Sequence, residues 1–249
     1  MRISVNWLND WLDTPAEGRE LATRLTMAGL EVEAIEPAAP PLEGVVVGEI
    51  VEREKHPDAD SLSVCKVNAG GSELLQIVCG APNARAGLKA PLATLGTTMP
   101  GGMQISKARL RGVESFGMLC SARELGIAED SSGLLELPAE LAVGQDITTA
   151  LSLDDTLIEI NLTPNRGDCM SVLGVAREAA VLAGTRLAGP EMHAVAAKSS
   201  DRFPVELVPG AGCARFAARV IRGVRPDAQA PLWMRERLRR AGLRPISAV

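Results

Sequence analysis

Lys107, Arg109 and Arg111 alternate with Ala108 and Leu110 in the stretch Ile105-Ser106-Lys107-Ala108-Arg109-Leu110-Arg111. Residues two apart on an extended strand project from the same face, so the spacing predicts three cations side by side. That arrangement suits a row of phosphate oxygens. Arg85, Lys89 and Arg123 lie near in sequence, and across residues 85–123 these six cations face one acid, Glu114. The flanks have the opposite sign: residues 1–60 are strongly acidic and residues 124–160 contain no Lys or Arg. A basic island of this kind fits a polyanion, an acidic protein surface or a solvated strip, and charge alone leaves the three open. For a nucleic-acid ligand the mode is narrower. Single strands are usually held by stacking on aromatic rings, yet residues 42–150 contain one aromatic, Phe116. Recognition of backbone and shape is the consistent mode, with about 3–5 phosphates neutralised and steep salt dependence.

Other chemistry finds little local support. The chain contains no phosphate-binding Gly-x-x-x-x-Gly-Lys-Ser/Thr loop, Gly-x-Gly-x-x-Gly turn, Gly-x-Ser-x-Gly elbow or His-Glu-x-x-His pair. Five cysteines (Cys65, Cys79, Cys120, Cys169, Cys213) are spaced too widely for a Cys-x-x-Cys ligand pair and read as reduced core thiols. His56 and His193 sit in predicted loops without an adjacent nucleophile, so structural roles are expected for both, and no metal site is expected. Asp154 and Asp155 are neighbours and project to opposite sides of an extended segment, which reads as a solvated turn. No apolar run approaches a membrane span, and the Met1-Arg2-Ile3-Ser4 opening lacks the layout of a signal peptide. The sequon Asn161-Leu162-Thr163 has meaning only with secretion, and a cytoplasmic location is the expectation.

The elements that must position the basic island follow from periodicity and turn chemistry. With 249 residues, 46% hydrophobic and 23% charged, net charge −5, the chain reads as a globular protein of about two domains. Ser4 is placed to cap a short helix carrying Val5, Leu8, Trp11 and Leu12. Thr14-Pro15-Ala16-Glu17 has the form of a capping box opening a second helix, which Gly29 ends before a strand over Leu30–Ala34. Ala38-Ala39-Pro40-Pro41 reads as a stiff linker. Short runs then recur between turns, at 45–51, 62–67, 74–79, 90–95, 105–110 and 134–137, the texture of a small barrel or sandwich; a five-stranded OB-type barrel fits the length. A strand over Leu157–Leu162 leads into a helix that Asp168 can cap and Gly184 can end. Pro231 opens an Arg-rich helix stopped by Gly242, and Pro245–Val249 reads as a strand cut off as it begins, as in a piece of a longer chain. The predicted fold class is α+β and multidomain. An OB barrel (42–150) is inserted between the halves of a small α/β domain (1–38 and 151–199), and a further α/β domain begins over 200–249.

One stretch is more specific than periodicity. In His56-Pro57-Asp58-Ala59-Asp60-Ser61-Leu62-Ser63-Val64-Cys65-Lys66-Val67 a turn feeds an alternating strand, and the carboxylates of Asp58 and Asp60 can fold back onto nearby backbone N–H groups. Two further blocks follow in order, Ile77–Gly87 and Ile105–Ser121. Together the three resemble the tRNA-binding OB-fold module appended to several aminoacyl-tRNA synthetases and also found freestanding. Outside that module, Ile3–Leu8, Met27–Glu33 and above all Leu162-Thr163-Pro164-Asn165-Arg166-Gly167-Asp168-Cys169-Met170-Ser171-Val172-Leu173-Gly174 look like the bacterial phenylalanyl-tRNA synthetase β subunit.

That resemblance covers essentially the whole chain, and it carries expectations. The family's β chain is much longer and bears an inserted OB module followed by an editing domain that hydrolyses mischarged tyrosine. Aminoacylation chemistry, with its ATP and Mg2+, belongs to the complete enzyme, in which two α and two β subunits are expected. The present residues should bind no cofactor themselves and should be catalytically inactive alone. Their implied partners are tRNA and the α subunit. Arg244 matches an arginine that the resemblance places at the editing pocket, where a guanidinium could clamp a phosphate or polar group, although Pro245 replaces the usual Ser beside it. The rival readings are a freestanding structure-specific RNA-binding module and a protein-interaction scaffold without an RNA role.

Overall fold

The computed structural model of the protein describes residues 1–226 and 228–247. Strand β1 (Arg2–Ser4) runs into helix α1 (Val5–Asn9), with Ser4 as its cap, the Ser4 Oγ accepting from the Trp7 N–H at 3.1 Å. Helix α1 is shorter than the spacing predicts, and Trp11 and Leu12 lie beyond its end. Helix α2 (Gly18–Met27) buries Leu21, Ala22 and Leu25 and gives way at Gly29 to strand β2 (Glu31–Pro37). The predicted capping box does not form. Asn9 clamps both backbone groups of Ala16, accepting from its N–H at 2.9 Å and donating to its carbonyl at 3.2 Å, which holds the chain extended up to Glu17.

The barrel follows. Its strands are β3 (Val45–Lys55), β4 (Ser63–Asn68), β5 (Leu75–Cys79) and β6 (Lys89–Ala93). Next comes a separate ribbon of β7 (Ala108–Leu110) and β8 (Val113–Ser115), and then β9 (Met118–Leu119). All pairings are antiparallel, in the order β5-β4-β3-β6-β9. The Phe116 N–H donates to the Gln76 carbonyl at 2.9 Å, drawing the outer ends of that order together into a nearly closed OB-type barrel. Ile50, Cys65, Val67, Ile77, Leu92 and Leu119 fill one core, and a second, around Val45, Met99, Leu125 and Ile147, supports it. The predicted strand at 134–137 is instead an irregular segment, laid on the barrel by hydrogen bonds from Leu135 N to Cys120 O and from Leu137 N to Lys89 O.

Helix α3 (Ile147–Ala150) leads to strand β10 (Thr156–Asn161), which lies between β1 and β2 in a three-stranded antiparallel sheet. Residues before and after the barrel thus share one sheet, with a core of Ile3, Leu8, Leu25, Ile158, Val175 and Ala179. A 3₁₀ segment (Pro164–Cys169) precedes helix α4 (Val172–Ala183). Ser171, not Asp168, caps α4, accepting from Gly174 N–H at 2.9 Å, because Arg166 engages the Asp168 carboxylate. Gly174 permits this corner: a Cβ there would lie 2.1 Å from the Asp168 carbonyl oxygen. Gly184, at φ 64°, ends the helix as expected.

Helix α5 (Leu232–Arg240) begins after Pro231 and packs near β1. Residues 245–247 form no strand, and Ala248 and Val249 of the predicted strand lie outside the described residues. Two expectations about burial fail. Asp155 is buried, not a solvated turn residue: Ser4 Oγ and Arg240 both donate to its carboxylate. Four cysteines are buried, but Cys213 is exposed. Among the described residues no helix is long and apolar enough to cross a membrane.

Candidate nucleic-acid interface

The ribbon is built by a two-residue turn. Ala108, Arg109 and Leu110 pair with Ser115, Glu114 and Val113, leaving Arg111 and Gly112 as the link. Both have positive φ, 48° and 88°, as a type I′ hairpin turn requires. Glycine accepts that backbone readily, whereas an arginine there is strained by roughly 1 kcal/mol or more. The predicted single face of Lys107, Arg109 and Arg111 is corrected accordingly. Strand β7 spans only Ala108–Leu110, so Lys107 precedes it, Arg109 alone of the three lies on it, and Arg111 projects from the turn. The tip still concentrates charge, because the Arg109 Nε–H donates to the Gly112 carbonyl at 3.0 Å.

The six predicted cations divide by what their charges meet. Arg109, Arg111 and Arg123 are exposed and make no ion pair among the described residues. Lys107 is exposed, lies over the Phe116 ring and pairs with Glu114 at 2.8 Å. Arg85 is committed to Glu136 through a two-pronged contact at 2.8 and 2.7 Å, which holds that carboxyl below the usual carboxylate range with help from Asn83. Lys89 donates to the Ala139 and Leu141 carbonyls and so fastens the 134–141 segment to the barrel. The sequence reading missed Lys66, whose Nζ reaches Gln76 Oε1 at 3.0 Å, while Gln76 Nε2 donates to the Glu114 carbonyl of the ribbon. Its outward position was legible from the alternation of β4, in which Cys65 and Val67 face inward.

The His56 turn sits under the ribbon tip. His56 is 2% exposed, its Nε2 lies 3.1 Å from the Leu110 carbonyl, and its Nδ1 accepts from the Asp58 N–H at 3.1 Å. The fold-back is therefore made by the imidazole, not by the carboxylates of Asp58 and Asp60. Asp60 instead pairs with Lys55 at 2.6 Å. Pro57 lies in the turn between His56 and Asp58, which is closed by His56 N–H to Leu62 O at 3.1 Å.

Arg244 is exposed beyond α5 and does not line the groove of about 1190 Å³ between α1, α5 and the 132–141 segment. In that groove Arg237 lies between Trp7 and Trp233, 5.6 Å from each ring, and is paired with Asp10 at 2.5 Å. Among the described residues one cluster, Asp168, Cys169 and Glu178, has the spacing of a metal site. The Arg166 guanidinium reaches all three, at 3.1, 3.0 and 2.9 Å, so their charge is already answered. A thiol is also a poor partner for magnesium, and the cluster does not fit that ion.

Comparison with known proteins agrees with this geometry. Residues 45–146 match the family described as "Putative tRNA binding domain", and residues 212–249 match the "B3/4 domain". Phenylalanine–tRNA ligase β subunits of Bordetella bronchiseptica, Pseudomonas putida and Coxiella burnetii are 56%, 54% and 50% identical to it. Each alignment covers 100% of this chain and 31% of the relative. Among solved structures, the C-terminal domain of Plasmodium vivax p43 aligns at 25% identity with a TM-score of 0.31, over 40% of this chain and 56% of that one. A MetRS-related protein from Pyrococcus horikoshii aligns at 26% identity and the same TM-score, over 41% of this chain and 85% of that one. Barrel and family match together define a protein carrying an OB-fold domain of the tRNA-binding class. The chain belongs to the phenylalanine–tRNA ligase β-subunit family and spans about a third of the length of the relatives it matches.

Proposed function

We propose that the chain serves as the N-terminal part of the β subunit of a phenylalanine–tRNA ligase, and that its barrel binds tRNA through the β7–β8 ribbon. The observation that carries this reading is the ribbon tip: Arg109 and Arg111 are exposed and without an acidic partner among the described residues, on a barrel matched by a tRNA-binding family. Arg123 and Lys66 add positive charge to the barrel surface, Lys107 shares its charge with Glu114, and Arg85 and Lys89 act chiefly as internal struts. With one aromatic among residues 42–150, contact runs through phosphates and shape, and base identity counts for little.

On this reading the sheet β1-β10-β2 scaffolds the barrel, the divisions fall at 1–38, 42–150, 151–199 and 200–249, and the scaffold meets the α subunit in an assembly of two α and two β chains. The complete enzyme charges tRNA with phenylalanine using ATP and Mg2+ in the cytoplasm. Its catalytic site lies outside these residues, and Arg244 joins an editing pocket formed with further chain. The test is a titration of the chain against folded tRNA for phenylalanine and an unstructured RNA of equal length. Preference for the folded tRNA supports the reading, and equal or absent binding contradicts it.

A further inference from the structure

We propose that His56 is the positioning residue of the basic ribbon: its imidazole fixes the carbonyl between Arg109 and Arg111 and so sets how the tip presents its two guanidinium groups. This rests on the reading of the ribbon as the RNA contact. The geometry fixes the tautomer. A carbonyl oxygen can only accept, so Nε2 facing Leu110 O must carry the hydrogen, and the Asp58 N–H can only donate, so Nδ1 must be bare. The ring is thus neutral and satisfied at both nitrogens while 2% exposed.

The attachment of the ribbon shows why this bond matters. Strand β8 is held to β5 along its length, by Gln76 Nε2 to Glu114 O at 2.9 Å and by Val78 N–H to Ser115 Oγ at 3.1 Å. Strand β7 makes one hydrogen bond to residues outside the ribbon and its turn among the described residues, and that bond comes from His56. A Cβ on Gly112 would lie 4.0 Å from Asp58 Oδ2, so the same turn also lies close beneath the tip. Its backbone is itself closed by Leu62 N–H to Ala59 O and His56 N–H to Leu62 O, both at 3.1 Å. The His56 turn is a fixed platform, and the imidazole is the link from it to the strained Arg111 position.

Two substitutions in the full chain separate positioning from simple folding. An Asn amide reaches the Nδ1 position and can keep the Asp58 contact but not the Leu110 contact. A Gln amide reaches the Nε2 position and can keep the latter. His56→Asn is expected to weaken tRNA binding about three- to ten-fold, the equivalent of one hydrogen bond, and to speed amide exchange at Arg111–Val113. His56→Gln is expected to restore both to within about two-fold of the unsubstituted protein, and ring nitrogen shifts should report the Nε2–H tautomer. Unchanged ribbon exchange in His56→Asn, equal loss in both variants, or an Nδ1–H tautomer overturns the proposal. Arg109→Ala with Arg111→Ala is measured alongside. If that pair weakens binding and His56→Asn does not, the His56 role fails and the ribbon reading stands. If the pair has no effect, the ribbon reading itself fails, and the positioning role with it.

Discussion

The Asp155 carboxylate meets the Arg240 guanidinium at 3.0 Å across 85 residues of sequence, with the two side chains 0% and 7% exposed. Around that pair three parts of the chain converge. Ser4 Oγ donates to Asp155 at 2.5 Å and Asn6 N–H at 3.0 Å, while Arg240 also donates to the Ser152 and Leu151 carbonyls. The start of the chain, the exit from the barrel and helix α5 are thereby joined. Asp155→Ala leaves the buried Arg240 with Glu236 at 3.4 Å as its remaining carboxylate and strips Ser4 Oγ and Asn6 N–H of their acceptor, so it should destabilise the protein by about 1–3 kcal/mol. Urea unfolding measures this, and a loss under about 1 kcal/mol would show that the pair does not join these parts.

The turn residue Arg111 gives a prediction in which stability and binding move apart. Asparagine is favoured where arginine is strained in a type I′ turn, so Arg111→Asn should raise stability by up to about 1 kcal/mol and weaken tRNA binding several-fold. Thermal unfolding and a binding titration on the same preparation check both signs. A variant that is more stable and binds tRNA equally well removes Arg111 from the contact.

Arg85 and Glu136 should contribute to stability in a pH-dependent way. Arg85 holds the Glu136 carboxyl below its usual range. The contribution is therefore complete above the ordinary carboxylate range and is lost as the pH falls through the lowered value. Both groups are about half exposed, which limits the effect to about 0.2–1 kcal/mol. Arg85→Ala should shrink this acid-side loss to the part that Asn83 sustains, while changing tRNA affinity far less than Arg109→Ala does. Unfolding midpoints across pH 3–7 read the difference, and an unchanged pH profile would contradict the assignment.

Thiol labelling should separate Cys213 from the rest. Burial pushes the Cys65 thiol up to about 11 and Cys120 to about 12, and Cys79 and Cys169 are raised for the same leading reason. Cys213 is exposed. A mild alkylating reagent at neutral pH should modify Cys213 in the folded protein and all five after denaturation, read by mass spectrometry. Rapid native modification of Cys120 would mean that the barrel opens.

Much of this was legible in the sequence because it rests on local chemistry. Ser4 as a cap, Gly29 and Gly184 as helix stops, and the alternation of Cys65 and Val67 all follow from nearest neighbours along the chain. The misreadings share a different cause: a partner remote in sequence or a competing neighbour. Asp155 reads as solvated until Arg240 reaches it, and Asp168 reads as a cap until Arg166 engages it. Within the basic island, the six charges look alike in sequence, yet Glu136 and the 139–141 carbonyls take up Arg85 and Lys89. The ribbon turn left a local signal, a two-residue Arg-Gly link between paired segments, which the regular alternation through Arg111 concealed.

The central claim is that the ribbon tip contacts RNA phosphates, and the salt dependence of tRNA binding tests it most directly. Affinity is measured from low to moderate salt for the unsubstituted chain, for Arg109→Ala with Arg111→Ala, and for a control pair of exposed arginines away from the barrel, Arg19→Ala with Arg215→Ala. Removing one cation from a phosphate should reduce the slope of log affinity against log salt by about 0.7–0.9. The ribbon pair is therefore expected to flatten the slope by about 1.5, twice that single-phosphate value, and the control pair to leave it nearly unchanged. Equal slopes for the ribbon pair and the unsubstituted chain would contradict the account.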